Sequence, residues 1–219
     1  MIRLIVYDLD GTLIDSRLDI ANAVNWTLKE LGRNELPAEK ISGFVGSGVK
    51  NLMLQSLMET GQKPLPSLEK AIKLFRGRYG EHMLVHTELY PSVRKVLEFF
   101  HLRRQAVVTN KPENFSIAIL QGLGVDSYFF QIRGGDTGFP KKPAPGLLLD
   151  VILSAEVSPG ETLLVGDSAL DVETGRNAGV KILAVTYGFG SRTEIEKAGP
   201  DGILEDLSEL ITHPLLGES

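Results

Sequence analysis

The sequence has no cysteine. That removes disulfides, thiolate metal sites and a cysteine nucleophile together, and it agrees with a reducing compartment. It has no surplus of positive charge either: 23 Lys and Arg stand against 28 Asp and Glu, a net charge of −5. Such a chain offers no general attraction to nucleic acid or to an anionic membrane, so any anion site must be local. No segment approaches the roughly 20 apolar residues needed to span a bilayer. The first apolar run, Leu4-Ile5-Val6, is too short for a signal peptide and is followed at once by Asp8 and Asp10. Internal repeats and low-complexity segments are also missing. These absences predict a soluble, cytoplasmic protein, monomer or homodimer, that works without nucleic acid or membrane.

What is present is ordinary globular material. The 219 residues, 42% hydrophobic and 23% charged, suffice for one domain or for a core with a sizeable insertion. Short apolar runs without strict alternation recur at Leu4-Ile5-Val6, Ala106-Val107-Val108, Phe129 to Ile132, Thr162 to Val165 and Ile182 to Val185. They suit strands buried on both faces of a parallel sheet. Helical patterns lie between most of them: Val93, Val96, Leu97 and Phe100; Phe115, Ile119 and Leu123; and a segment from Ala169 closed by Gly179. The fold class that follows is α/β, a three-layer Rossmann-like parallel sheet. In such sheets ligands bind at the carboxyl ends of strands, which here are Asp8, Thr109, Gly134 and Asp167.

One interval breaks the alternation. From Ile14 to about Leu84 no strand is evident, and apolar stripes at helical spacing recur three times: Ile20, Val24, Leu28 and Leu31; Val49, Met53 and Leu57; Leu68, Ile72, Phe75 and Tyr79. This predicts a helical insertion with hinges near Ile14 to Arg17 and Val85 to Pro91. The tail from His213 to Ser219 is expected to be loosely held.

Four constellations carry chemistry. Asp8 and Asp10 lie two apart, where an extended chain points both to one side. Two such carboxylates resist joint ionisation unless a cation compensates them or one keeps its proton. Gly11 permits a turn there, and Thr12 can bond across it. In VVTNKP, Thr109 and Asn110 at a helix start make a phosphate cradle, or simply an N-cap. In FPKKPAPGLLL, prolines stiffen a loop around Lys141 and Lys142, which are either aimed at a phosphate or solvated. In LLVGDSALDVETG, Asp167 ends a strand and Asp171 follows in the first helical turn, where helix capping and the helix dipole would also explain acids. Four acids brought together need a hard cation with oxygen ligands, for which Mg²⁺ is the natural choice.

DLDGT at Asp8 to Thr12, the strand-ending Thr109, Lys142 before Pro143 and GDSxxD from Gly166 to Asp171 resemble, in order and over nearly the whole chain, the motifs of the haloacid dehalogenase superfamily. FVGSG at Phe44 to Gly48, VTNKP at Val108 to Pro112, KKPAP at Lys141 to Pro145 and YGFGS at Tyr187 to Ser191 are most similar to its phosphoglycolate phosphatases. The resemblance implies a Mg²⁺-dependent phosphatase acting on a small phosphorylated metabolite, with 2-phosphoglycolate as the leading substrate. It implies that Asp8 attacks phosphorus to give an aspartyl-phosphate. Asp10 would serve as acid and then base, its crowding favouring the protonated form, and Thr109 and Lys142 would hold the phosphoryl oxygens. The metal set would be Asp8, the Asp10 carbonyl and Asp167, with Asp171 behind them; Asn110 and Gly11 would add substrate contacts. The insertion becomes a small, four-helix-bundle-like cap over 15–85, on a catalytic core of 1–14 and 86–219.

Within the cap, Ser47, Gly48 and Lys50 are candidates for reading the organic part of the substrate, against the alternative of a plain helix-connecting loop. Asp15 would be a gateway or capping residue. The four histidines form no ligand cluster, Trp26 belongs to cap packing, and Glu194, Glu196 and Lys197 form a solvated helix face. Four other activities share parts of this pattern. A haloacid dehalogenase lacks the acid at the Asp10 position. A phosphonate hydrolase needs a Schiff-base lysine, for which Lys50 is the candidate. A β-phosphoglucomutase-like phosphotransferase and a pyrophosphatase keep the core residues. A non-catalytic binding module would not need every catalytic position filled, as they are here.

Overall fold

The computed structural model describes residues 1–61 and 67–217. The chain begins with β1 (Leu4–Tyr7) and the two-residue β2 (Ile14–Asp15), then enters four helices: α1 (Arg17–Glu30), α2 (Ala38–Ser42), α3 (Val49–Glu59) and α4 (Leu68–His82). It returns through β3 (Glu88–Leu89), α5 (Val93–Phe99), β4 (Arg104–Val108), α6 (Glu113–Gly122), β5 (Gln131–Arg133) and α7 (Gly146–Ser154). The remainder is β6 (Thr162–Gly166), α8 (Ala169–Ala178), β7 (Lys181–Val185), α9 (Arg192–Ala198) and β8 (Gly202–Leu204), followed by two short 3₁₀ turns.

Six strands form one parallel sheet in the order β5-β4-β1-β6-β7-β8. The unbroken apolar runs have a direct physical cause. Ile5 and Tyr7 of β1, with Leu163 and Val165 of β6, pack into one apolar cluster, while Leu4, Val6 and Leu164 pack into another on the opposite face. Alternate side chains leave a strand on opposite sides, so a strand covered on both faces must be apolar at every position. After β1 the chain first builds the sheet outward through β4 and β5, then crosses over to β6. The C-terminal end of β1, between β4 and β6, is therefore the topological switch point where open α/β sheets bind ligands.

In the insertion, Ile20, Val24 and Leu28 of α1, Met53 and Leu57 of α3, and Phe75 and Tyr79 of α4 are buried together. Trp26 is half-buried, with the Arg78 guanidinium 5.6 Å from its ring centroid. Glu194, Glu196 and Lys197 are exposed on α9.

Three sequence expectations need correction. The interval after Ile14 does begin with a strand: Ile14 pairs with Leu89 and Asp15 with Glu88, antiparallel. Two residues are too few to leave a readable alternation. Phe129 and Phe130 precede β5 rather than forming it, because a 3₁₀ turn over Asp126–Tyr128 delays the strand. The tail is anchored as far as residue 217: Leu216 is buried and its carbonyl accepts a hydrogen bond from Arg103 (3.0 Å). Glu218 and Ser219 lie outside the described residues.

The two passages between insertion and sheet are joined by a buried charge. Asp19, in the first turn of α1, accepts hydrogen bonds from the backbone N–H of His86 (2.9 Å) and Thr87 (2.9 Å) and from the Thr87 hydroxyl (2.9 Å). Removing the carboxylate leaves the buried N–H and hydroxyl of Thr87 without that acceptor. Asp19→Ala should therefore lower folding stability by about 3 kcal/mol, read as a fall in the urea midpoint at unchanged slope.

Candidate active site

Asp8 follows β1 directly, its N–H bonded to the carbonyl of Val165 (2.9 Å), so the sheet itself fixes the backbone of this residue. The chain then turns tightly: Thr12, Leu13 and Ile14 all donate to the Leu9 carbonyl, and Gly11 donates to Ile14 (2.9 Å). Gly11 has φ +87°, and a Cβ there would fall 2.1 Å from Asp167 Oδ2. Only glycine lets the turn pass that carboxylate.

The turn parts the two acids that the sequence places side by side. The buried Asp8 carboxylate lies with its Oδ1 2.9 Å from Lys142 Nζ, yet that oxygen has no aligned hydrogen-bond donor. Asp10 faces away, toward the inserted helices. Its Oδ1 accepts from Lys111 Nζ (2.9 Å) and from Ser16 Oγ (2.5 Å), and its Oδ2 accepts from Lys111 Nζ (3.1 Å). Asp10 is thus compensated by a lysine of its own rather than crowded by Asp8.

Asp167 directly follows β6, where its Oδ1 accepts from Thr12 Oγ1 (3.2 Å) and its Oδ2 from the N–H groups of Phe189 (2.7 Å) and Gly190 (3.3 Å). Asp171 forms a capping box with Ser168 at the start of α8 and accepts a hydrogen bond from Lys142 Nζ (2.6 Å). Both of its oxygens are therefore engaged within the protein. Oxygens of Asp8, Asp167 and Asp171 all lie within 4.8 Å of one another, and all three residues are buried.

The electrostatics follow from that packing. Burial, opposed by the Lys142 charge, pushes the Asp8 carboxyl up to about 6. Burial, reinforced by Asp171 and Asp8, pushes Asp167 up to about 8. Burial alone would lower the Lys142 pKa, but Asp171 and Asp8 outweigh it and hold the ammonium form. With all three carboxylates ionised around one ammonium, about two negative charges would stay uncompensated, which is why burial raises Asp8 and Asp167 here. An all-oxygen donor set with that deficit fits a hard divalent cation.

Thr109 is buried at the end of β4, its N–H bonded to Arg133 (3.1 Å). The side chain of Asn110 is occupied by the backbone. Its Nδ2 donates to the carbonyls of Gly46 (2.8 Å) and Lys142 (3.3 Å), and its Oδ1 accepts from Lys142 N–H (2.9 Å). Asn110 thereby ties the loop before α3 to the loop that carries Lys142.

Asp8, Asp10, Thr109, Asn110 and Gly48 line one chamber, together with Ile20, Val49, Leu52, Phe75, Tyr79, Lys111 and Phe115. Gly48, at φ +84°, leads directly into α3. Ser47 and Lys50 are exposed; Lys50 lines a separate groove with Arg76, Asp136 and Lys141. Asp15 pairs with Arg17 at the surface, and the guanidinium's hydrogen bonds hold its carboxyl below the usual range. Sequence reasoning passed over Lys111, Tyr79, Ser16 and the Phe189 and Gly190 amides. The sole advance signal for Lys111 was its place two residues after a strand-ending threonine.

The family model for haloacid dehalogenase-like hydrolases matches residues 5–185. The chain belongs to that family. Among its relatives, a phosphoglycolate phosphatase of Pseudomonas putida is 39% identical over 217 residues, covering 95% of this chain and 78% of that one. A phosphoglycolate phosphatase of Aquifex aeolicus is 36% identical over 211 residues, covering 95% of each. The crystal structure of a predicted phosphoglycolate phosphatase from Haemophilus somnus superposes with a TM-score of 0.92 at 29% identity, covering 96% of this chain and 97% of that one.

Folding in the absence of metal raises Asp8 from 3.8 to about 6 and Asp167 from 3.8 to about 8. Both bind protons more tightly folded than unfolded, so their contribution is complete below the unfolded value and is lost as pH rises through the folded ones. In EDTA the melting temperature should fall between about pH 5 and about pH 8. Millimolar MgCl₂ should recover most of the loss at the alkaline end and little at the acid end, as scanning calorimetry would show.

Proposed function

We propose that the protein is a Mg²⁺-dependent phosphatase that hydrolyses a small phosphomonoester, with 2-phosphoglycolate as the best candidate. The observation that carries this reading is the Asp8 carboxylate: buried at the switch point, lining the chamber, paired with Lys142 and grouped with Asp167 and Asp171 within reach of one cation. The names of the relatives support the substrate. So does the chamber, whose apolar lining from Ile20, Val49, Leu52, Phe75 and Phe115 gives a sugar ring few hydroxyl partners and suits a compact leaving group.

In the first step Asp8 attacks phosphorus, the bond to the leaving oxygen breaks, and Asp10 delivers a proton to the departing alkoxide. In the second, Asp10 takes a proton from water as that water attacks the aspartyl-phosphate, releasing inorganic phosphate and restoring Asp8. Lys142 and Thr109 hold the non-bridging oxygens throughout. Asp8, Asp167 and the Asp10 carbonyl would hold Mg²⁺, with Asp171 orienting Lys142; when bound, the ion supplies positive charge to the phosphoryl oxygens. The inserted helices, 15–85, act as the cap over a core of 1–14 and 86–219, excluding bulk water when closed.

Asp8→Asn should abolish Mg²⁺-dependent phosphate release from 2-phosphoglycolate while leaving the circular dichroism spectrum unchanged. Asp10→Asn should cost about 10²–10⁴-fold in kcat. Asp15→Asn, which alters only a surface pair, should stay within about fivefold. Undiminished turnover in Asp8→Asn would remove the nucleophile assignment.

A further inference from the structure

Lys111 is a buried cation, 7% exposed, beside the acid–base residue. Its Nζ donates to both oxygens of Asp10 (2.9 and 3.1 Å) and to the Tyr79 hydroxyl (2.7 Å), and it lies 4.7 Å from the Tyr79 ring centroid. Burial alone would favour loss of its proton, but Asp10 and Tyr79 outweigh burial and keep it charged. An ammonium has three donors, and the three bonds here go to the two oxygens of Asp10 and to Tyr79, so a ligand anion would bind by taking over one of the two contacts to Asp10. Among the described residues lining the chamber Lys111 is the only cation. Lys142, which faces Asp8 and Asp171, is not among the residues that line this chamber.

We infer that Lys111, set by Tyr79 of α4, is the receptor for a carboxylate on the leaving group, and that it selects phosphomonoesters bearing a carboxylate on the carbon next to the ester oxygen. The inference rests on the phosphatase reading and adds the basis of its selectivity. For Asp10 to protonate the leaving oxygen, that oxygen must come within one hydrogen bond of Asp10, and Lys111 is one hydrogen bond from Asp10 on its other side. The ammonium thus lies within two hydrogen-bond lengths, about 6 Å, of the ester oxygen. In an O–CH₂–COO⁻ group the carboxylate oxygens are three bonds from that ester oxygen, inside this radius. The remaining chamber wall of Ile20, Leu52, Phe75 and Phe115 offers no other charge to meet an anion. A neutral alcohol forfeits the contact, and a cationic one meets repulsion. Because Tyr79 comes from the inserted helices and Lys111 from the loop after β4, the receptor is complete only when the two are together.

The test compares kcat/KM for 2-phosphoglycolate with that for ethyl phosphate, a neutral ester of similar size. The wild-type ratio should be about 100 or more, as expected where a buried polar group is left unpaired by the wrong substrate. In Lys111→Met the ratio should fall below about 10, with Lys111→Arg restoring part of it. Tyr79→Phe, which keeps the ring and the lysine, should lower the ratio mainly through a higher KM for 2-phosphoglycolate. Lys111→Met and Tyr79→Phe ratios equal to the wild-type value, even with both rates reduced, would overturn the inference and leave Lys111 only a support for Asp10. A wild-type ratio near one would overturn it while the phosphatase reading stands; a wild-type enzyme that hydrolyses neither ester would overturn both.

Discussion

Three carboxylates packed around one ammonium, at the edge where β1 and β6 end, set the terms for the rest of the structure. Asp8 and Asp167 lie on adjacent strands because β1 and β6 are neighbours, and Lys142 reaches them from the loop that leads into α7. The arrangement is expensive for a folded protein to hold without a counter-ion, since each buried charge must be met by a dipole, a donor or an opposite charge. The donors are visible: the Thr12 hydroxyl, two amides from the segment after β7, and the capping box of α8. Each is a local element recruited to a shared electrostatic problem.

Asp10 follows a different logic. The Leu9 to Ile14 turn carries it out of that cluster and onto Lys111, so two acids two residues apart occupy separate electrostatic environments. One faces Lys142 and the other acids, the other faces Lys111 and Ser16. This separation arises through a turn that depends on a glycine at position 11.

Much of this was legible in the sequence, and the exceptions have physical reasons. The strand-ending acids could be read because doubly covered strands are apolar throughout, so a charge at their end stands out. The three helical stripes could be read because burial on one face imposes a period. Lys111 could not, because a lysine ahead of proline at a helix start looks like a surface residue until its partner is known. That partner, Tyr79, lies 32 positions away on α4, in a stripe that reads as core. The stripe is right about the ring, which is 2% exposed, and silent about the hydroxyl. β2 and β3 are two residues each and carry no period at all. Asp19 looks like any acid in a first helical turn; its task emerges only when His86 and Thr87, 67 and 68 positions on, fold against it.

The pairing of β2 with β3 has one more consequence. Ile14 and Leu89 lie opposite each other in the antiparallel pair although more than seventy residues separate them along the chain, and the Tyr90 N–H beside them donates to the Leu13 carbonyl (3.1 Å), so the polypeptide leaves the sheet and re-enters it at nearly the same point. To the six-stranded sheet, everything between is a detour of no net length. The pairing fixes where the insertion is rooted, and a few contacts beyond it, Tyr79 with Lys111 and the Gly46 carbonyl with Asn110, fix where it lies against the loops that leave the sheet.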